Sequence, residues 1–358
     1  MPSTDYAALS FLPFGWRREI ADALRAGRSP REVVADSLAA HPHDPELTIE
    51  SLDRKAADAI ARGRSAGLEL IEWPADRYPP AIAAIADPPP VIWLRGRMEA
   101  LDPPAVAIVG SRAGSPYALA VAERLAADLA MRGIAIVSGL ARGVDSAAHR
   151  GALSAGGTTI AVFGTGADIV YPSEHKALAG EICADGALLS ELAPGTAPLP
   201  QFFPLRNRII SGLSRAVVVV EASEKSGSLI TARMALEQGR NVLAVPGNVL
   251  NGRNRGGHAL LRDGAKIVET ADDILEELGF APAVRVSASG PGTADDRRAI
   301  TDPVLACLPP GESCDLDALA ERSGLSVARL LPRLLDLELK GHVRRAGGGR
   351  FVRFDRSC

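Results

Sequence analysis

The stretch AVAIVGSR (residues 105–112) decides the fold, because five small apolar residues run there into a glycine loop. The stretch IAIVSG (134–139) repeats this pattern after an amphipathic segment, Pro116–Met131. Short, near-continuous apolar runs that alternate with amphipathic helices are typical of parallel strands buried on both faces. The two stretches therefore predict a strand–helix–strand unit of an α/β sheet.

The same alternation continues to about Phe280 and predicts one domain over residues 105–280. Further strands are predicted at Thr158–Phe163, Ala187–Leu189, Ala216–Glu221, Val242–Val245 and Lys266–Val268, and helices at Val144–Ala155 and Leu229–Gln238. Such an order favours a doubly wound, mainly parallel sheet that is covered by helices on both faces.

Two regions precede this domain. Residues 1–75 show helical periodicity and predict a small helical domain. Residues 76–104 are rich in proline and predict a connector, with a short edge strand at Val91–Leu94.

Two further regions follow the sheet domain. Residues 281–298 hold Pro, Ser and Gly without periodicity, which predicts a flexible linker. Residues 299–358 read as helix, turn, helix and two short strands around a glycine tip, a pattern typical of a winged helix. The strand region is basic, so the wing is a candidate for phosphate contact, while a role in contacting proteins stays open.

Composition excludes several classes of protein. The 358 residues are 47% hydrophobic and carry a formal net charge of −3, so neither a disordered chain nor a protein coated in basic charge is expected. The apolar run at Ala216–Val220 is far shorter than the roughly 20 residues of a membrane span. The four cysteines form no CxxC pair, so we expect neither a zinc site nor a disulfide framework, and a cytoplasmic location. We also expect no cofactor.

Glycine-rich loops follow four of the predicted strands. In open parallel sheets these loops meet at one edge, where helix N-termini and close backbone approach favour anions. The loops are Gly110-Ser111-Arg112, Ser138-Gly139-Leu140-Ala141-Arg142-Gly143, Gly164-Thr165-Gly166 and Ser226-Gly227-Ser228. Together they predict a phosphate-binding surface. Because neither a complete GxGxxG fingerprint nor a P-loop occurs, dinucleotide and nucleoside triphosphate binding are not favoured.

A basic segment lies between two of these loops. Arg206, Arg208 and Arg215 follow Phe202 and Phe203, with no acidic residue among them. Arginines that neutralise phosphates beside aromatic rings are what binding of single-stranded nucleic acid requires. The alternative is that the phenylalanines belong to the core and that the arginines pair with carboxylates at the strand ends.

Acidic residues are also predicted near the strand ends, at Asp145, Asp168, Glu191 and Glu221. Asp145 and His149 are four residues apart and share a helix face. They are interpreted either as a catalytic pair or, preferentially, as a buried hydrogen-bonded pair that holds the Arg142 loop. No GxSxG motif supports hydrolase chemistry.

Eight ordered blocks resemble the DNA-processing protein A (DprA/Smf) family. They are AIVGSR (107–112), SGLARGVDSAAH (138–149), TIAVFGTG (159–166), YP (171–172), LLSE (188–191), FPLRNRIISGLS (203–214), SGSLITA (226–232) and AVPG (244–247). The resemblance is close over about residues 105–270. It implies a Rossmann-like domain between a sterile-alpha-motif-like N-terminal domain and a C-terminal winged helix.

This resemblance also implies a function. Family members bind single-stranded DNA that enters the cell in natural transformation, protect it and load the recombinase RecA onto it. They form dimers through the Rossmann-like domain, for which Leu236–Leu250 is a plausible region, and they have no established catalytic activity. The DNA-binding positions implied here are Arg112, Arg206, Asn207 and Arg208, to which we add Ser138, Gly139, Arg142, Ser226 and Ser228.

Two other functions stay open at the level of sequence. Rossmann-like phosphoribohydrolases that cleave nucleoside monophosphates share a similar sheet and first loop. Their hallmark Pro-Gly-Gly-x-Gly-Thr run is replaced here by Ser226-Gly-Ser-Leu-Ile-Thr231. The second alternative is an adaptor that mainly contacts proteins, against which the intact Arg112 and the Arg-Asn-Arg block (206–208) argue.

Overall fold

A computed structural model describes residues 4–41, 47–73, 75–280, 302–308, 313–339, 342–346 and 349–353. The chain divides into two compact units. One comprises Met1–Ala113 and Ala122–Phe280, and the other comprises Gly114–Val121 and Ala281–Cys358. The linker predicted at 281–298 lies outside the described residues.

Nine strands of the first unit form one sheet. They are β1 (Glu69–Glu72), β2 (Val91–Gly96), β3 (Ala105–Val109), β4 (Ala135–Ser138), β5 (Thr159–Val162), β6 (Ala187–Ser190), β7 (Ala216–Val219), β8 (Asn241–Ala244) and β9 (Lys266–Ile267). Their order is β1-β2-β6-β5-β4-β3-β7-β8-β9. Strands β3 to β9 are parallel, while β2 pairs antiparallel with β1 and β6. The chain builds outward from β3 in both directions, which makes the gap between β3 and β7 the switch point where such sheets bind ligands.

Twelve α-helices accompany these strands among the described residues up to position 280. They are α1 (Thr4–Leu9), α2 (Arg17–Arg25), α3 (Pro30–Ala40), α4 (Ile49–Ser65), α5 (Pro80–Ala83), α6 (Pro116–Ala130), α7 (Val144–Ser154), α8 (Lys176–Asp185), α9 (Phe202–Leu213), α10 (Gly227–Glu237), α11 (Arg255–Arg262) and α12 (Ala271–Glu277). Within the described ranges, we find no helix whose length and apolar character would let it span a membrane.

Helices cover both faces of the sheet. On one face, Ala107 and Val109 of β3 belong to the same buried cluster as Ile209 of α9. On the other face, Ala161 of β5 packs in a cluster with Leu178 of α8. Because alternate side chains of a strand point to opposite faces, a strand covered on both sides must be apolar throughout. The predicted doubly wound, mainly parallel α/β fold is confirmed.

The N-terminal helices α1 to α4 form a module with its own apolar cluster. Ser29 and Thr48 start α3 and α4 as capping boxes, in which side chain and backbone satisfy each other's hydrogen bonds. The fully buried ring of Trp93, from β2, joins this cluster and so ties the module to the sheet. Gly63 of α4 lies directly against that ring.

The sheet begins earlier in the sequence than predicted. Residues 69–72 lie in the stretch predicted to be helical, yet they form β1. The strand predicted at Val91–Leu94 is present as β2, but it lies between β1 and β6 rather than at the edge. Both strands are short and flanked by prolines, so their apolar residues carry little periodic signal. The region predicted as a connector therefore contributes a strand and helix α5 to the sheet domain.

The second unit contains the predicted winged helix. Its elements are α13 (Pro303–Ala306), α14 (Leu316–Ser323), α15 (Val327–Leu339), β10 (Ser313–Cys314), β11 (Val343–Ala346) and β12 (Arg350–Arg353), with strand order β10-β12-β11. Helix α15 exposes Leu331, Leu335 and Leu339, and Arg345 of the wing pairs with Glu338 at 3.1 Å. Residues 340–341, 347–348 and 354–358 of the predicted basic wing lie outside the described residues.

The contact between Gly63 and Trp93 makes a stability prediction. A Cβ atom added at Gly63 would lie within 3.0 Å of the indole ring, so Gly63→Ala is expected to lower the free energy of unfolding by about 1–3 kcal/mol through overpacking. Urea unfolding measures the change.

Gly180 offers the matched control for this substitution. It is an exposed glycine of α8 with open space at its Cβ position, so Gly180→Ala is expected to raise stability by up to about 1 kcal/mol. Equal effects of the two substitutions would contradict close packing of Gly63 against the Trp93 ring.

Candidate nucleic-acid interface

A cavity of about 630 Å³ opens at the carboxyl ends of β3 and β7, at the switch point of the sheet. We call it the strand-end pocket. Its wall includes Gly110, Ser111, Arg112, Arg206, Asn207, Ser226, Gly227 and Ser228. Eight of the fourteen residues predicted to bind phosphate or DNA therefore meet in one place, although they come from three separate segments of the chain.

Arg112 and two aromatic rings form one side of the strand-end pocket. The exposed Arg112 guanidinium lies 5.7 Å from the centre of the Phe203 ring, and Tyr171 tilts against the same ring at 5.4 Å. Phe203 is half-buried and lines the pocket. It is thus available as a stacking surface, contrary to the alternative that both phenylalanines belong to the core, while Phe202 packs against Phe14.

Arg206 lies at the bottom of the strand-end pocket and is 5% exposed. Its guanidinium donates to the carbonyl oxygens of Gly139, at 2.8 Å, and of Val162. A side chain at Gly139 would overlap this guanidinium, so the close approach requires glycine there. Burial lowers the pKa of Arg206 to about 10, which still leaves it charged at neutral pH.

Asn207 connects Arg206 to the start of α10. Its side-chain oxygen accepts from Arg206 Nε at 3.0 Å, and its amide nitrogen donates to the carbonyl oxygen of Gly227 at 3.4 Å. Ser226 caps α10, and its hydroxyl lies 2.7 Å from that of Ser228. The N-terminus of α10 thus presents hydroxyls and backbone N–H groups to the pocket, an arrangement that suits a phosphate.

Five predicted residues lie elsewhere or have other partners. Ser138 is fully buried and donates to the carbonyl oxygen of Ile108. Gly164 packs against Phe203, and the Gly166 N–H donates to Thr196. Arg142, with Gly139, lines a smaller adjoining cavity of about 80 Å³, but it pairs there with Glu174, Nη2 lying 2.9 Å from Oε2. The third loop is therefore closed by the protein itself.

The prediction that Arg208 contacts DNA disagrees with its position. Arg208 is 5% exposed, lies outside the strand-end pocket, and pairs with Glu191 at 2.7 Å and Asp87 at 2.9 Å. Burial lowers its pKa, but these two carboxylates raise it by more. Arg215 also lies apart, stacked on Phe280. For Arg208, the alternative of pairing with strand-end carboxylates is the correct one.

The predicted pair of Asp145 and His149 does not form. Asp145 accepts from the backbone N–H groups of Gly139 and Ala141, so it does hold the Arg142 loop. His149 is fully buried and bonds to the Thr159 hydroxyl at 2.7 Å. Since that hydroxyl donates to the carbonyl oxygen of Ile136, His149 Nδ1 must carry the proton. The other predicted acids are also occupied by structural contacts: Asp168 accepts from the Gly195 N–H and Glu191 pairs with Arg208.

Sequence reasoning missed two residues of this region. Arg253 follows β8 and donates to the carbonyl oxygen of Ala113, which itself lines the strand-end pocket. Tyr171, far from Phe203 in the sequence, forms the aromatic wall with it. Tyr171 stands in one of the blocks that resemble the family, but neither residue was assigned a binding role, because a loop residue that approaches from another strand shows no periodicity.

The arrangement of these groups suits an anionic ligand. Cations, helix N–H groups and aromatic rings face one cavity. Among the described residues, no cluster of three His, Cys, Asp or Glu side chains could bind a metal ion. Asp145 is the carboxylate that lines the pocket, and burial raises its pKa above the ordinary value despite nearby Arg206.

His149 predicts a pH dependence of stability. Burial lowers its pKa to about 3, and its Nε2 atom has no partner in the described structure. In the unfolded chain the pKa of His149 is near 6.5, so His149 binds a proton there at a pH at which it stays neutral in the folded protein. Acidification therefore favours unfolding. Between pH 7.5 and 5.0 this costs about 2 kcal/mol.

The comparison variant is His149→Gln. We expect a smaller loss of unfolding free energy between these pH values than in the wild type, measured by urea unfolding at each pH. Asp145 titrates in both proteins, so the difference isolates His149. An identical pH dependence in both would show that His149 is protonated in the folded state.

Comparison with known proteins gives the family. The protein-family model described as DNA recombination-mediator protein A matches residues 69–279, and the family model of the DprA winged helix domain matches residues 288–349. Protein Smf of Escherichia coli (strain K12) is 42% identical over 295 residues, which cover 81% of this chain and 78% of that protein.

Two solved structures resemble this one. The X-ray structure of DNA processing protein A (DprA) from Streptococcus pneumoniae has a TM-score of 0.68 and 37% identity, covering 77% of this chain and 99% of that chain. A structure of DNA processing protein A from Helicobacter pylori, described for that protein's single-stranded DNA binding mode, has a TM-score of 0.54 and 31% identity, covering 59% of this chain and 95% of that chain. The strand-end pocket, the sheet around it and the winged helix thus occur in a chain that belongs to the DNA recombination-mediator protein A (DprA/Smf) family.

Proposed function

We propose that this protein binds single-stranded DNA in the strand-end pocket, protects it, and loads the RecA recombinase onto it during natural transformation and recombination. The observation that carries the proposal is the convergence of Arg112, Phe203 and the N-terminus of α10 on one cavity. Membership of a family of DNA recombination mediators, and the single-strand binding named for the Helicobacter pylori relative, support it.

The pocket suits a single strand rather than a duplex. Phe203 and Tyr171 offer aromatic rings, and a base must leave the stack of a duplex before it can lie on such a ring. The remaining groups are Arg112 and the hydroxyls and amides around Ser226–Ser228, which recognise phosphate oxygens. Because phosphate contacts carry no sequence information, weak sequence preference is expected.

We further propose that the protein acts without catalysing a reaction. Asp145 is engaged with backbone N–H groups, and His149 is buried against Thr159. Neither is arranged as a general base beside a substrate position. Incubation of the purified protein with AMP should release no free adenine, and release of the base would favour the phosphoribohydrolase alternative.

Arg112→Ala tests the pocket. Loss of one phosphate contact should weaken binding of an oligonucleotide of about 20 nucleotides roughly tenfold at low salt. The slope of log affinity against log salt should become shallower by about 0.7. Fluorescence anisotropy titrations at several salt concentrations, with single-stranded and duplex DNA, give both quantities.

Arg95→Ala is the matched control. Arg95 is an exposed arginine of β2 that pairs in register with Leu188 near the start of β6, at the opposite edge of the sheet. It should leave both the affinity and the salt slope unchanged. Identical slopes for wild type and Arg112→Ala would remove Arg112 from the interface.

A homodimer is part of the proposal. Leu236 of α10 is 61% exposed, and Val249 and Leu250, in the loop after β8, are 77% and 91% exposed. Large apolar side chains exposed within one stretch of the sequence, residues 236–250, favour association. Two pockets on one dimer would also hold a long strand more tightly through effective concentration.

Leu250→Asp is expected to convert the dimer to a monomer, measured as mass by light scattering after gel filtration. Met131→Asp is the control, because Met131 is also exposed but lies at the end of α6, away from this loop in the sequence. A wild-type protein that is monomeric at micromolar concentration would contradict the dimer.

Loading of RecA is tested on the same variants. Wild-type protein should speed RecA filament formation on single-stranded DNA coated by a single-strand-binding protein, and Arg112→Ala should not. A variant that loses DNA binding but keeps this stimulation would separate the two parts of the proposal.

A further inference from the structure

A second groove lies between the N-terminal module and the loop that follows β6. Its volume is about 390 Å³. It is lined by Phe11, Phe14 and Phe202, by the exposed Lys55 of α4, and by Leu192 and Thr196. None of the described residues that line it is acidic. A cluster of three aromatic rings beside a cation is unusual on a protein surface, since exposed apolar residues are normally scattered singly.

Adjacent residues of the chain line this groove and the strand-end pocket. Phe202 and Phe203 are neighbours at the start of α9, and their rings have different partners. Phe203 contacts Tyr171 and Arg112 in the strand-end pocket, whereas Phe202 tilts against Phe14 at 6.0 Å in the second groove. The exposed residues 199–201 separate the two, and Pro200 itself lines the strand-end pocket.

The ring of Phe14 is held in place from beneath. The buried Arg17 guanidinium lies 4.9 Å from the centre of the ring, and Arg17 Nη2 donates to the carbonyl oxygen of Ser10. A ring that is fixed in this way loses little conformational entropy when a base stacks on it. The Phe14 ring is therefore already oriented for stacking of a flat ligand.

Positive charge continues along α4. Arg62 lies seven residues after Lys55, on the same face of the helix, and its guanidinium approaches Gly195 in the loop after β6. Neither Lys55 nor Arg62 forms an ion pair with a described side chain. Their charge is thus unneutralised within the described structure and suits an anionic partner.

We propose that the second groove binds the continuation of the same single DNA strand. Bases leave the strand-end pocket over residues 199–201 and stack on Phe202 and Phe14, while Lys55 and Arg62 contact the phosphates. This inference rests on the proposed function of the strand-end pocket and extends it to the N-terminal module. It assigns DNA contact to a domain whose overall composition gives no such indication.

Length dependence tests the inference. An oligothymidylate of about six nucleotides fills the strand-end pocket alone, whereas one of about 20 reaches both sites. Lys55→Ala should leave the affinity for the short oligonucleotide unchanged and weaken binding of the long one about threefold to tenfold, with a salt slope shallower by about 0.7. Arg54→Ala is the matched control, because Arg54 is exposed beside Lys55 on α4 and does not line the groove.

Photocrosslinking gives an independent readout. Oligonucleotides that carry 5-iododeoxyuridine at successive positions should crosslink to peptides around Phe203 and Tyr171 from one end, and to peptides that contain Phe11, Phe14 or Phe202 from the other. Phe14→Leu should remove the crosslinks to its own peptide without changing those at Tyr171.

The outcomes separate the two proposals. Equal affinity of wild type, Lys55→Ala and Arg54→Ala for the long oligonucleotide, with crosslinks confined to the strand-end pocket, would overturn the second groove and leave the proposed function intact. Failure of the wild type to bind either oligonucleotide would overturn both. Selective loss of long-strand binding in Lys55→Ala, with crosslinks at Phe14, supports the inference.

Discussion

The buried guanidinium of Arg206 is the contact on which the rest of the site depends. It donates to the carbonyl oxygens of Gly139 and Val162, which lie at or just after the ends of β4 and β5. It also donates to Asn207, whose amide nitrogen donates to Gly227 at the start of α10. A buried cation without such partners costs several kcal/mol. The loops therefore cannot move apart without leaving a buried charge unsatisfied, so these contacts hold the shape of the strand-end pocket.

Helix α9 is fixed from its other side by Arg208. This residue pairs with Glu191 and Asp87, and the buried Arg17 of the N-terminal module lies 4.0 Å from the same Glu191. Burial lowers the pKa of Arg17 to about 10, so it too stays charged at neutral pH. One helix thus carries two arginines with opposite orientations, of which one shapes the pocket and the other anchors the N-terminal module to the sheet. The geometry of the pocket and the docking of the module are consequently linked through α9.

The sequence predicted the parallel strands well, because runs such as Ala105–Val109 are apolar on both faces and have few other interpretations. It did not predict β1, whose four residues carry too little pattern. The roles of Arg206 and Arg208 could not be separated, since residues two apart on a helix point to nearly opposite sides and only the placement of the helix shows which side faces the pocket. The glycines at 164 and 166 had the composition of an anion loop, but contacts with Phe203 and Thr196, distant in sequence, close that loop.

The pairing of charges around the pocket decides the character of binding. Arg142 is engaged by Glu174, Arg208 by two carboxylates, and Arg206 by backbone carbonyls, so few arginine charges remain for phosphates, those of Arg112 and Arg253 among them. In this proposal, each phosphate that an arginine neutralises adds to the salt dependence, whereas stacking on Phe203 and donation from the uncharged N–H groups of α10 add little. In the binding that we propose, a chain with a net charge of −3 therefore holds the DNA strand by aromatic rings and amides more than by excess charge. Such binding tolerates any base sequence, because every base has an aromatic face and every nucleotide a phosphate.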